Sequence, residues 1–314
     1  MKLHLDETRL PNGAVFLMCV NEEDRSRGVL ERSGKWNPAL TVLVKYSGKN
    51  PRRDRQLTLV MDLVKSRSLA YAITECDEAS PAKCLKSQID ALKLLCGPTK
   101  PSIVIDISVF TKRNMLMLWQ WFDDINAWDR VTVVYSEPEN YVVSKYIPLT
   151  FGLESLQQIP GSPGLADCSR PVHLVLLLGY EGDRALAVYE QIQPMQTTLF
   201  VPHPPYRLDW EGRTEEFNSD LLNLTGDHHV KRVDAIDPEA TSGMLRATIG
   251  ANDRRSQNAV VICPLGTKPQ TLGVFEYIRG SCDPPAVIYA NPMRHNKSFY
   301  SEGIGQSWIL KEGG

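Results

Sequence analysis

The feature that most constrains this chain is an internal repeat. An apolar, strand-like run, Ala14–Val20 (AVFLMCV), leads into Asp24-Arg25; a second, His173–Leu178 (HLVLLL), leads into Asp183-Arg184, 159 residues later. Thr41–Tyr46 (TVLVKY) is answered by Thr197–Pro202 (TTLFVP), 156 residues on. Ser102–Ser108 runs into Val109-Phe110-Thr111-Lys112-Arg113 and a helical stretch, as Asn258–Cys263 runs into Pro264-Leu265-Gly266-Thr267-Lys268-Pro269. Finally Tyr135-x-x-Pro138 recurs as Tyr289-x-x-Pro292, 154 residues apart. Any one of these matches is a common dipeptide. In a fixed order, with offsets that drift by five residues, they indicate duplication of one α/β unit.

The strands read as continuous apolar runs and alternate with helical stretches, which is the pattern of a parallel sheet covered on both faces. The predicted fold is α/β, with two tandem Rossmann-like units of mainly parallel sheet related by a pseudo-two-fold. The first unit is expected over residues 1–150 and the second over 171–314. A linker is expected over 151–170, where Pro160-Gly161-Ser162-Pro163-Gly164 reads as loop. Residues 45–56, with Gly48, Pro51 and five Arg or Lys, read as a solvated basic loop. Helical material is expected at 84–95 in the first half, and at 215–224 and 239–249 in the second. Trp119, Trp121, Phe122 and Trp128 surround one helix and its exit, and fit core packing or an interface better than base stacking.

The charge balance excludes a basic nucleic-acid coat: 35 Lys and Arg stand against 37 Asp and Glu. An anionic ligand would have to be held by local cations, and sequence-specific DNA binding is not expected. The seven cysteines are scattered, with no CxxC pair, which suggests a reducing cytosol rather than a disulfide framework. No run approaches the length of a membrane span and the first residues lack a signal peptide's apolar stretch, so a cytoplasmic location is expected, without membrane contact. No P-loop, GxGxxG, HExxH or GxSxG motif occurs, and no cofactor is predicted. His228-His229 reads as a loop pair, and no metal site is expected.

In open parallel sheets, ligands bind beyond the carboxyl ends of the strands. The repeated residues fall there: Asp24, Arg25, Thr111 and Lys112 in the first half; Asp183, Arg184, Gly266, Thr267 and Lys268 in the second. Unpaired amides at a helix N-terminus, with a Thr hydroxyl and a Lys ammonium, suit an anion, and Gly266 would allow close backbone approach. The same residues also fit a plainer role, with Asp24, Asp183 and Thr111 as N-caps and the arginines paired to nearby Glu. For acid–base work the candidates are His295, which follows a strand end, and Glu181.

The segment AVVICPLGTKPQTLG resembles the strand–loop–helix signature of CRISPR-associated Rossmann-fold (CARF) domains, through Gly266, Thr267 and Lys268. Phe110-Thr111-Lys112 is a degenerate form of it. The loop with Asp183-Arg184 lies where such domains also line their ligand pocket. CARF domains act as dimers around a two-fold and sense cyclic oligonucleotides, and SAVED domains fuse two such units in one chain. The resemblance therefore implies a sensor. It would hold an anionic nucleotide or cyclic oligonucleotide in a cleft shared by both repeats, with Lys112 and Lys268 facing that cleft and Arg25 and Arg184 near its rim. It would act through an effector protein or a homo-oligomer, in antiviral defence. Two other readings remain: an enzyme opening the ring of a cyclic oligonucleotide, with Lys268 and Arg184 stabilising charge and His295 or Glu181 handling a proton, and a structural subunit with an inert cleft.

Overall fold

The computed structural model describes residues 2–96, 100–141, 149–164, 169–226, 229–253, 258–296 and 301–314. The chain divides into two compact units, Met1–Val142 with Ser301–Gly314, and Val143–Tyr300.

The first unit is built on strands β1 (Leu3–His4), β2 (Val15–Val20), β3 (Leu40–Tyr46), β4 (Tyr71–Cys76), β5 (Ile103–Asp106) and β6 (Val131–Ser136). Between them lie helices α1 (Gly28–Arg32), α2 (Pro51–Ser66), α3 (Pro81–Cys96) and α4 (Lys112–Asp124). The second unit carries β8 (Thr150–Phe151), β9 (Ser155–Gln158), β10 (Val172–Leu177), β11 (Gln196–Pro202), β12 (Val230–Val233), β13 (Ala259–Pro264), β14 (Ala286–Asn291) and β15 (Arg294–His295). Its helices are α5 (Gly182–Ile192), α6 (Arg213–Phe217), α7 (Ser219–Thr225), α8 (Pro238–Asp253) and α9 (Lys268–Arg279). Two short strands, β7 (Asn140–Tyr141) and β16 (Ser301–Glu302), and a longer one, β17 (Ser307–Lys311), complete the first unit.

Among the described residues the two main sheets share one strand order. The first runs β1-β17-β6-β5-β2-β3-β4 and the second β12-β11-β10-β13-β14-β9. Read from the same side, β4-β3-β2-β5-β6-β17 matches β12-β11-β10-β13-β14-β9. In both, the first five of these strands are parallel and the sixth is antiparallel. The central strands β2 and β10 are almost wholly buried, as their unbroken apolar sequence requires. The cores form around them: Phe16, Met18, Leu43 and Val60 in the first unit, and Leu174, Leu176, Leu199 and Cys263 in the second. Trp119, Phe122 and Trp128 are buried as well, and the two Trp rings pack edge to face 6.0 Å apart.

The strand that closes each sheet is exchanged. β9 follows β6 in sequence but pairs with β14, and β17 follows β14 but pairs with β6. The expected boundary is therefore corrected. The second unit does not run to 314, and 151–170 is more than a linker, because Ser155–Gln158 is a sheet strand.

Two further expectations are corrected. Most of the stretch 45–56 is not loop: Asn50 caps α2, its side chain accepting from the amides of Arg52 and Arg53, and Pro51 takes the first helical position. The helices expected at 84–95, 215–224 and 239–249 fall on α3, on α6 with α7, and on α8; α3 answers α8, since each leads from the edge strand to the strand beyond the first. And Cys76 and Cys84 form a disulfide, their Cα atoms 4.4 Å apart, because α3 turns back over the end of β4. Cys168 and His228 lie outside the described residues. Among the described residues, no helix is long and apolar enough to cross a membrane.

Two buried ionisable groups, one in each unit, contribute opposite pH responses. His173 on β10 is 1% exposed, with Nε2 2.9 Å from Thr198 Oγ1. Burial, with His229 nearby, pushes its pKa down from 6.5 to about 4. The native state then binds a proton less readily than the unfolded chain, so stability present above pH 6.5 is lost as pH falls toward 4. Glu137 at the end of β6 is 5% exposed; burial raises its pKa from 4.5 to about 7, although Trp308 Nε1 donates to it. Its contribution falls as pH rises from 4.5 through 7. Urea midpoints measured at pH 5 and pH 7 should show the acid loss in the second unit, and His173→Leu should flatten it.

Candidate anion site

Each candidate residue sits at the carboxyl end of a sheet, and each unit brings its own pair of loops together. In the first unit the loops after β2 and β5 adjoin because those strands pair; in the second, the loops after β10 and β13 do. These are the points where successive crossovers leave the sheet in opposite directions, the usual place for a ligand crevice.

In the second unit the two loops touch. A Cβ on Gly179 would lie 2.6 Å from the Leu265 carbonyl oxygen, and one on Gly266 would lie 3.2 Å from that of Leu178. Gly266 is thus needed for contact with the chain itself, where sequence reasoning assigned it to a ligand. Thr267 is the N-cap of α9. Its hydroxyl accepts from the Gln270 amide at 3.1 Å and donates to the Ala235 carbonyl at 2.6 Å, while Gln270 Oε1 accepts from the Thr267 amide at 3.0 Å. Lys268 begins the helix and is half-buried. Thr111 caps α4 in the same way, accepting from Asn114 at 3.4 Å, while its own amide donates to the Tyr46 hydroxyl at 2.9 Å; Lys112 follows, half-buried. The cap role of Thr111, weighed against ligand contact in the sequence, is what its side chain does here.

The arginines were expected near a rim; both are instead buried and ion-paired. Arg25 is 1% exposed; its Nη2 lies 2.8 Å from Glu23 Oε2, its Nε donates to the same carboxylate, and its Nη1 donates to the Tyr135 hydroxyl at 3.2 Å. Ser301 Oγ also donates to Glu23. Asp24 accepts from Gln56 at 2.8 Å, Arg27 at 3.2 Å and the Gly303 amide at 3.1 Å. Burial alone would raise its pKa, but those donors outweigh it and hold the carboxyl below its ordinary value. Asp24 and Arg25 are therefore woven into the first unit's own polar network.

Arg184 is 6% exposed and pairs with Glu181, which also accepts from Thr150 Oγ1 at 3.3 Å. Burial opposes its charge, yet the Glu181 carboxylate more than offsets this and raises the arginine's pKa. Its Nη1 donates to the Ala290 carbonyl at 3.3 Å. Unlike Arg25, Arg184 leaves its Nε buried with no acceptor among the described residues. Asp183, on the first turn of α5, is exposed. Glu181 is nearly buried and committed to Arg184, which does not suit a proton carrier. His295 is placed by its backbone in β15, opposite Thr150. Among the described residues no cluster of three His, Cys, Asp or Glu side chains could hold a metal ion.

The pairing of the arginines to nearby Glu, the plainer role that the sequence offered, is what the structure shows, with Glu23 and Glu181 as the partners. Glu23-x-Arg25 and Glu181-x-x-Arg184, each just past an apolar strand, were the available signal.

No known protein family matches the chain, and no curated protein is significantly similar to it. Among solved structures it resembles a type III CRISPR defence DNA nuclease activated by cyclic oligoadenylate, with TM-score 0.55 and 11% identity over 88% of this chain. The chain spans 65% of that protein's length. It also matches the cytoplasmic domain of a prokaryotic cation chloride cotransporter at TM-score 0.28 and 8% identity, covering 91% of this chain and 99% of that one. The first likeness agrees with the α/β fold of parallel-dominated sheets.

Proposed function

We propose that this protein is a nucleotide sensor whose second unit holds a cyclic oligonucleotide at the carboxyl ends of β10 and β13. The observation that carries this reading is the buried Arg184, with an unsatisfied Nε, beside the loop that presents Lys268 at the start of α9. A buried donor without a partner costs about 1–3 kcal/mol, and an anionic oxygen would relieve it. The fold's likeness to a nuclease activated by cyclic oligoadenylate suggests the ligand class and a setting in antiviral defence. The chain would pass the binding event to an effector protein. The first unit's Asp24 and Arg25 serve its own network, and Thr111 caps α4.

A charge-assisted contact is worth about 1.5–3 kcal/mol, and each 1.4 kcal/mol is tenfold. Lys268→Ala should therefore weaken binding of cyclic oligoadenylate by roughly ten- to a hundredfold, and more so at low salt, where the charge is least screened. Titration calorimetry measures the loss, and mass spectrometry of the recovered ligand separates the two active readings. A sensor returns it intact; a product that vanishes with Glu181→Gln or His295→Ala would identify an enzyme.

A further inference from the structure

β4 and β12 hold the same place in their sheets, the outer edge beyond the second strand, but they present different surfaces. β12 has four residues and exposes Lys231 and Arg232. Short length and exposed charge are the usual guards against edge-to-edge pairing. β4 has six residues, Tyr71-Ala72-Ile73-Thr74-Glu75-Cys76, with no Pro, Lys or Arg. Tyr71 is 43% exposed and Ile73 47%.

The backbone pattern shows what the open edge of β4 offers. The Thr41 amide donates to the Ala70 carbonyl, and the Ser47 amide to the Cys76 carbonyl. Even-numbered residues thus turn their peptide groups toward β3, and Tyr71, Ile73 and Glu75 turn theirs outward. The same three residues carry the exposed side chains of the strand. The Glu75 carbonyl already accepts from Ser87 Oγ at 2.9 Å and keeps a second lone pair.

We propose that β4 pairs with β4 of a second copy of this chain, antiparallel, across a two-fold axis at Ile73. Opposed residues that exchange both N–H···O bonds must each face the partner strand, which restricts the pairing to the odd-numbered set. Centred on Ile73, this register sets Ile73 against the partner's Ile73 and Tyr71 against the partner's Glu75. No like charges are opposed, and the apolar contact falls at the middle. The strand is complementary to itself, which favours a second copy over an unrelated strand.

The test uses the full chain with Cys168→Ser and Cys282→Ser, which removes two cysteines outside the disulfide. Sedimentation velocity across low to high micromolar concentrations should show a monomer–dimer equilibrium. Ile73→Lys, which opposes two ammonium groups at the axis, should raise the dimer Kd at least about tenfold. Under mild oxidation Ile73→Cys should cross-link, because opposed Cα atoms about 5.5 Å apart lie within disulfide reach. Tyr71→Cys should not, because the two copies of that residue stand about 14 Å out of register. A monomer at every concentration overturns the proposal and leaves this edge to a strand of another protein. A dimer indifferent to Ile73→Lys, or cross-linking through Tyr71→Cys rather than Ile73→Cys, overturns it as well. None of these outcomes depends on nucleotide binding.

Discussion

Deleting residues 301–314 is expected to unfold the first unit and leave the second folded. β17 lies between β1 and β6 in the first sheet, and its Ile309 and Leu310 are 1% and 3% exposed. Truncating one such side chain to Ala costs about 2–5 kcal/mol, and a domain's whole stability is about 5–15 kcal/mol. Losing both side chains and the backbone pairing of β6 and β1 removes most of that margin. The segment supplies more besides: Ser307 Oγ accepts from Arg32 at 2.7 Å, and the Gly303 amide donates to Asp24. The second sheet is closed by β9 and takes no strand from 301–314. Hydrogen exchange on the truncated chain should show β2, β3, β5 and β6 unprotected while β10, β11 and β13 stay protected. Retained protection in β5 and β6 would mean that the exchanged strand is dispensable.

The second large effect concerns the buried ion pair of the first unit. Arg25→Met removes one partner of a pair in which both groups are at most 3% exposed, and takes the guanidinium away from the buried Glu23 carboxylate. Breaking such a pair costs about 3–5 kcal/mol, whereas replacing both members by uncharged groups of similar volume is often close to neutral. Urea unfolding should therefore show Glu23→Gln with Arg25→Met to be more stable than Arg25→Met alone. If the single variant is as stable as the parent, Arg25 is not the structural cation described above.

Most of the parallel core was legible in the sequence, because a strand buried on both faces must be apolar along its whole length. Ala14–Val20 and His173–Leu178 could hardly be read otherwise. The edges were not legible. β12 sets two adjacent charges between valines, β4 mixes polar and apolar side chains, and β9 (SLQQ) has almost no apolar signal. Each is a strand because a neighbour supplies the pairing. The exchange of β9 and β17 was hidden for a related reason: antiparallel pairing to a strand far along the chain leaves no local mark. The site was half legible. The repeat placed the loops at the carboxyl ends of the strands, because helix starts after parallel strands gather at one edge. It could not say whether an arginine there meets a ligand or a carboxylate of its own chain, because both uses need the same short spacing. Nor does any sequence pattern report that Arg184 Nε is buried with no acceptor among the described residues.

The proposed nucleotide site is the pair of loops after β10 and β13 in the second unit. Hydrogen exchange with and without cyclic oligoadenylate tests it most directly, because it reports where binding acts, whatever its affinity. The account predicts slowed exchange at the amides of 179–184 and 265–270, diminished in Lys268→Ala at the same ligand concentration. Saturating ligand that leaves both segments unchanged, or that protects only other parts of the chain, would contradict it.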